Sequence, residues 1–200
     1  MVYSVCPNIE RLEIADVYFR THENATGFLG IPSSLTKLKH IEHVRNFIYD
    51  EIAEYDFGVE VLAPLFQAAP NLASLRLHHA YNRASDVPLA LKNLTELDLE
   101  YAGLELDAFT NLIRFCPRLE RLKSAHNGGT TGDGDSPTPR EAKDAVLTHA
   151  LKLKSFYLDT GATTWEWEDE EVDVQAEFAE AKEELAARGI EFTFRSDLLD

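Results

Sequence analysis

A short pattern of apolar positions recurs along the chain, and residues 91–99 show it clearly. There LKNLTELDL places leucine at 91, 94, 97 and 99. Five other segments share the pattern: CPNIERLEI (6–14), LTKLKHIEH (35–43), APNLASLRL (69–77), CPRLERLKS (116–124) and ALKLKSFYL (150–158). Because apolar and polar residues alternate at the end of each segment, the pattern predicts strands near 11–14, 40–43, 74–77, 96–99, 121–124 and 155–158. RGIEFTFRS (188–196) alternates Ile190, Phe192 and Phe194 and predicts a last strand at 191–194, with aromatic residues in place of leucines.

Helical patterns separate these strands. Apolar residues recur at three- and four-residue spacing within 59–69, 106–116, 142–146 and 174–185. The third segment begins with Thr138-Pro139-Arg140-Glu141, which has the form of a capping box with proline at the first helical position. Since long helical connections return the chain for a parallel step, we predict one parallel sheet with its strands in sequence order.

The spacing of the repeats indicates the architecture. The second apolar anchors lie at 12, 41, 75, 97, 122 and 156, so that successive intervals are 29, 34, 22, 25 and 34 residues. The shorter intervals fall within the period of roughly 20–29 residues typical of leucine-rich repeats. We therefore predict an α/β leucine-rich repeat solenoid, a horseshoe with one parallel sheet on the concave face and helices on the convex face. We expect a single domain over 1–200, with a flexible insertion at about 126–138 and an acidic segment at about 165–173.

The segments CPNIERLEI, APNLASLRL and CPRLERLKS, with the terminal AKEELAARGIEFTF, resemble the leucine-rich repeat regions of fungal F-box-like proteins of the ribonuclease-inhibitor-like class. The resemblance covers most of the chain. It implies a substrate-recognition part in an F-box-type ubiquitin ligase context. No F-box is found in the sequence, and Met1 precedes the first predicted strand by only a few residues. A Skp-type adaptor is therefore implied as a partner only if an F-box is supplied elsewhere.

The charge narrows the classes of partner. The formal net charge is −16 and the isoelectric point is about 4.8, which repels nucleic acid and anionic membrane surfaces. The sequence shows neither an apolar run of the roughly 20 residues that span a bilayer nor a secretory signal. Cys6 and Cys116 are too few for a disulfide framework and suit a reducing compartment. We expect a cytoplasmic or nuclear protein that binds neither nucleic acid nor membranes.

The strand alternation also predicts a surface. With the anchors pointing inward, the central outward row reads Glu13, Glu42, Arg76, Asp98, Lys123, Tyr157 and Thr193. Two interpretations are open. In one, Arg76, Asp98 and Lys123 pair among themselves and have a structural role. In the other, this part of the sheet receives a protein partner, and the predicted binding residues are Arg76, His78, Glu96, Asp98, Lys123, Tyr157 and Asp159.

Few residues in the sequence indicate a catalytic site or a site for phosphate or a metal ion. GGTTGDGDSPTP (128–139) lacks the Gly-Lys-Ser/Thr ending of a phosphate loop, and a calcium loop beginning at Asp133 would have Thr138 at its turn and Asp144 in place of glutamate. His40 and His43 are spaced like two zinc ligands but lack a second ligand pair, and the register favours a buried His43. Cys116 at a helix end is better suited to packing than to nucleophilic chemistry. We expect no enzyme, no cofactor and no metal site.

The segment TTWEWEDEEVDV (163–174) sets two tryptophans among six acidic residues. It is either a solvated connection whose rings cover one end of the solenoid or an acidic, aromatic docking patch. On the function of the chain, a protein-binding module is the main hypothesis. A non-catalytic scaffold or self-associating repeat fragment and, last, an enzyme are the alternatives.

Overall fold

Seven strands form one sheet in this computed structural model, which describes residues 8–15, 34–44, 62–78, 91–100, 104, 106–125, 137–159 and 174–195. Every neighbouring pair of strands is parallel, and the order across the sheet follows the chain. The predicted topology is confirmed, and each strand ends one residue later than predicted. The strands are β1 (Arg11–Ala15), β2 (His40–Val44), β3 (Ser74–His78), β4 (Glu96–Glu100), β5 (Arg121–Ala125), β6 (Ser155–Asp159) and β7 (Glu191–Arg195).

Four helices lie where the helical patterns predicted them. They are α1 (Ala63–Ala68), α2 (Leu106–Arg114), α3 (Pro139–His149) and α4 (Val174–Ala187). The capping box of α3 is confirmed, because the Thr138 hydroxyl accepts the backbone N–H of Glu141 at 3.2 Å and the Glu141 carboxylate accepts the backbone N–H of Thr138 at 2.9 Å. Helix α2 packs against α3, and α3 packs against α4. The described chain is therefore an α/β fold with a single all-parallel sheet.

The end of α4 directs the chain into β7. Gly189 has φ of 73°, a left-handed conformation that favours glycine. The backbone N–H of Ile190 donates to the carbonyl of Leu185 at 3.0 Å, and that of Gly189 donates to Ala186 at 2.9 Å. This pair of bonds is a Schellman motif, which satisfies carbonyls at the helix end and turns the chain sharply.

The core lies between the sheet and the helices. The predicted anchors align in register as one buried column across the sheet: Leu12, Ile41, Leu75, Leu97, Leu122, Phe156 and Phe192. Helical side chains including Phe109, Ile113, Val146 and Leu185 belong to the same buried cluster. The opposite side of each strand carries the outward row predicted from the sequence. We call this side of the sheet the polar face.

Adjacent repeats are joined by a recurring backbone arrangement at the start of each strand. The carbonyl of Ala73 accepts the N–H groups of both Thr95 and Glu96, at 2.8 and 3.1 Å, and the carbonyl of Thr95 accepts those of the next repeat in the same way. The turns are also linked, since Asn93 donates to the carbonyl of Pro70 at 2.9 Å. Register is therefore set locally, where each strand begins.

Aromatic residues fill the core beside the last strand. The rings of Phe156 and Phe192 stack with centroids 5.2 Å apart, and Phe178 of α4 lies 5.0 Å from Phe194. The replacement of leucines by phenylalanines in β7 thus joins the end of the sheet to α4. The predicted insertion lies outside the described residues except for 137–138, and the acidic segment at about 165–173 lies wholly outside them.

Candidate binding surface

The polar face carries its charged side chains in register. Arg76 aligns with Asp98, Asp98 with Lys123, and Lys123 with Tyr157. Since neighbouring strands are about 4.8 Å apart, the side chains of one row reach one another. The predicted central row is confirmed as a geometric row on consecutive strands.

Arg76, Asp98 and Lys123 do pair among themselves. Asp98 Oδ2 accepts from Arg76 Nε at 2.9 Å, and Asp98 Oδ1 lies 3.6 Å from Lys123 Nζ. Because two longer side chains converge on it, Asp98 is buried although it belongs to the outward row. The structural interpretation of this trio is therefore correct as far as pairing goes.

Glu42 extends the chain of ion pairs toward β1. Its Oε1 accepts from Arg76 at 3.1 Å, and its Oε2 accepts from Arg11 at 2.6 Å. Burial raises the pKa of Glu42, but the hydrogen bonds from the two guanidinium groups outweigh it and hold the pKa below its usual value. Glu42 is therefore ionised at neutral pH and fixes both arginines.

Glu100 joins two of the predicted residues. Its Oε1 lies 3.4 Å from Lys123 Nζ, and its Oε2 lies 3.4 Å from His78 Nε2. The sequence prediction missed Glu100 as a member of this surface because it ended β4 at 99. The signal was present, since Glu100 stands two residues after Asp98 and strand alternation places both on one side.

Glu96 and Asp159 lie toward the two borders of the polar face. Glu96 Oε2 accepts from Arg121 at 3.0 Å, and this hydrogen bond lowers the pKa of Glu96. Asp159 Oδ2 accepts from the hydroxyl of Tyr157 at 3.2 Å. Burial raises the pKa of Tyr157, and the charge of Asp159 adds to the effect. Arg121, like Glu42, belongs to the surface but was absent from the predicted set.

The structure thus brings the predicted binding residues onto one face in three groups. Arg76, His78, Asp98 and Lys123 form a continuous network through Glu42 and Glu100. Glu96 contacts Arg121, and Tyr157 contacts Asp159 near β7. The geometry is that of a polar surface with fixed side chains.

The histidine pair does not form a ligand pair. His43 is buried in register with Ile14 and Leu77, whereas His40 is exposed and lies beside Arg11. Strand alternation places the two imidazoles on opposite sides of the sheet. Among the residues that the structure describes, no three His, Cys, Asp or Glu side chains are grouped so as to hold a metal ion.

Cys116 lies two residues after the end of α2 and is fully buried. Burial raises the pKa of its thiol to about 12, because a thiolate is poorly solvated there. The thiolate is the nucleophilic form of cysteine, so this residue is unsuited to catalysis at neutral pH.

We expect Cys116 in a Cys6→Ser variant to react slowly with Ellman's reagent at pH 8. The thiolate fraction at that pH is lower by about three orders of magnitude than that of an unperturbed cysteine. The rate is measured in buffer and in denaturing urea. A native rate equal to the unfolded rate would show that the thiol is accessible and ionised.

The comparisons with known proteins do not add an identity: no family model matches the chain, and no curated protein matches it. Within the described ranges, none of the helices has the length and apolar character needed to cross a bilayer. The candidate phosphate and calcium loop begins outside the described residues, as does the tryptophan-containing segment at 163–174.

Proposed function

We propose that the chain is a protein-binding module built as a leucine-rich repeat solenoid, and that the polar face is its binding surface on the concave side of a horseshoe. The observation that carries the proposal is the set of charged and aromatic side chains in register on consecutive parallel strands. Stacked repeats offer such extended surfaces to partners.

The ion pairs alone do not account for this surface. More than a third of the side chain is exposed in both Arg76 and Lys123. Exposed ion pairs contribute only about 0–1 kcal/mol each to the free energy of unfolding. The opposite face of the sheet already buries a continuous column of apolar anchors. Arginine and tyrosine are also the residue types that often dominate binding energy.

The resemblance to F-box-like repeat regions suggests substrate recognition within a ubiquitin ligase. In that setting a Skp-type adaptor would be engaged by an F-box supplied elsewhere, and the polar face would hold the substrate. No cofactor, metal or catalytic step is part of this proposal. The alternative of a non-catalytic, self-associating scaffold predicts that the chain captures itself rather than another protein.

The test is affinity capture from lysate with quantitative mass spectrometry. We expect a reproducible partner to be lost when Arg76, Lys123 and Tyr157 are all changed to alanine, with the fold retained by circular dichroism. The matched control changes Lys92, Leu151 and Lys152, which are exposed and lie in turns outside the polar face.

A second variant, Trp165→Ala with Trp167→Ala, tests the alternative docking patch. Loss of the partner only in this variant, or equal loss in the control, would show that the polar face is not the binding surface. Self-association of the chain, measured by size-exclusion chromatography, would favour the alternative of a non-catalytic scaffold.

A further inference from the structure

The paired charges of the polar face are unequally exposed. In each of the six Arg or Lys pairs seen on its described part, the cation is more exposed than its carboxylate. The exposed fractions of the side chains are 66% for Arg11, 63% for Arg121, 47% for Arg76 and 37% for Lys123, against 40% for Glu96, 27% for Glu100, 17% for Glu42 and 11% for Asp98. The longer cationic side chains overlie the shorter carboxylates.

We propose that the polar face binds an acidic polypeptide segment through Arg11, Arg76, Arg121 and Lys123. This inference rests on the proposed function and names the chemistry of the partner. The basis is charge complementarity, since the part of the ion-pair network that faces outward is cationic although the chain carries a net charge of −16.

The less exposed carboxylates prepare the cations for binding. Arg76 contacts Glu42 through Nη1 and Asp98 through Nε, so the guanidinium is already oriented. A guanidinium has five N–H donors, which allows it to donate to a further carboxylate while keeping its bonds to the first two. The loss of side-chain entropy that accompanies this ordering then occurs during folding rather than during binding.

The spacing of the cations suggests the pattern of the segment. Arg76 and Lys123 share one row on β3 and β5, and Arg11 lies on β1 two residues earlier in the register; alternate strands are about 10 Å apart. A peptide in the polyproline II conformation has three residues per turn and rises about 3.1 Å per residue, so carboxylates at every third position lie on one side of it and would meet successive cations as the peptide crosses the strands.

The large negative charge of the chain argues against nucleic acid as the occupant. A phosphate backbone carries regularly repeated charge over a long distance and is repelled by the rest of the molecule. A short acidic segment can place its carboxylates on the four cations alone. The surrounding negative charge would then reject partners with acidic residues elsewhere.

The experiment uses a fluorescein-labelled peptide of glycine and serine with glutamate at every third position, and the same peptide with glutamine. Binding to the full chain is followed by fluorescence anisotropy. We expect the glutamate peptide to bind at least about tenfold more tightly at low salt, and the difference to shrink as salt is added. We expect this preference to disappear in Arg76→Gln with Lys123→Gln and to persist in Lys92→Gln with Lys152→Gln.

Equal binding of the two peptides, or an unchanged preference in the first variant, would overturn the proposal. Equal or tighter binding of a single-stranded oligonucleotide of the same charge would overturn it in favour of nucleic acid. If the captured partner is lost from the polar-face variant while the glutamate peptide shows no preference, the proposed function stands and only the acidic segment is wrong. Circular dichroism checks the fold of each variant.

Discussion

Leu97→Ala is expected to lower the free energy of unfolding by about 2–5 kcal/mol, as truncation of a buried leucine does. Leu97 is 1% exposed and lies in the middle strand of the sheet, in register with Leu75 and Leu122. Because each repeat covers its neighbours, the cavity weakens contacts on both sides. We expect a single cooperative transition at a lower temperature, measured by thermal and urea denaturation.

The matched control is Leu151→Ala. Leu151 is 79% exposed in the turn before β6, so the same truncation should change the free energy by no more than about 0.5 kcal/mol. If Leu97→Ala and Leu151→Ala lower the free energy of unfolding by the same amount, the column of anchors is not the core that stabilises the sheet.

Lys143→Met is expected to lower the free energy of unfolding by about 1–3 kcal/mol, which is the second large effect. Lys143 belongs to α3 and its side chain is only 5% exposed, with Nζ 3.2 Å from Glu184 of α4, 3.6 Å from Glu180 and 3.2 Å from Asp144. Burial lowers the pKa of Lys143, but the hydrogen bonds with Glu184 and Asp144 outweigh it and raise the pKa. The ammonium is therefore charged at neutral pH and holds α4 against α3.

Methionine keeps most of the apolar stem and removes the charge, which leaves three carboxylates facing one another. Urea denaturation measures the change. Arg140→Met removes a cation of α3 that contacts Glu177 and Glu180 but is half exposed, so its cost should be smaller, and Lys92→Met in an exposed turn should be neutral. A Lys143→Met protein as stable as the parent would show that the packing of α3 on α4 does not depend on this charge.

Strand order and register were predictable because they follow from local pattern. The anchors mark the buried side of every strand, and long connections such as those that contain α1 to α4 carry the chain back for a parallel step. The same alternation predicted which side chains share the polar face. It could not predict that Asp98 is buried, since that depends on how Arg76 and Lys123 lie over it.

The role of Lys143 was also beyond the sequence pattern. It stands next to Ala142 on α3, and helical periodicity marks the alanine as buried without showing what covers the neighbouring position. Only the packing of α4, with Glu180 and Glu184 one turn apart, buries the ammonium among acids. Contacts between successive helices depend on tertiary geometry that one helical pattern does not contain.

The shared carbonyls at the strand starts bear on how such a chain tolerates change. Strand starts at 74 and 96 are 22 residues apart and those at 121 and 155 are 34 apart, yet Ala73 and Glu120 each accept two N–H groups from the repeat that follows. A connection can therefore lengthen or shorten without shifting the strands it joins, at an entropic cost that grows only slowly with length. A chain of this kind can gain or lose a whole unit by duplication or deletion, because each new unit brings its own joint with it.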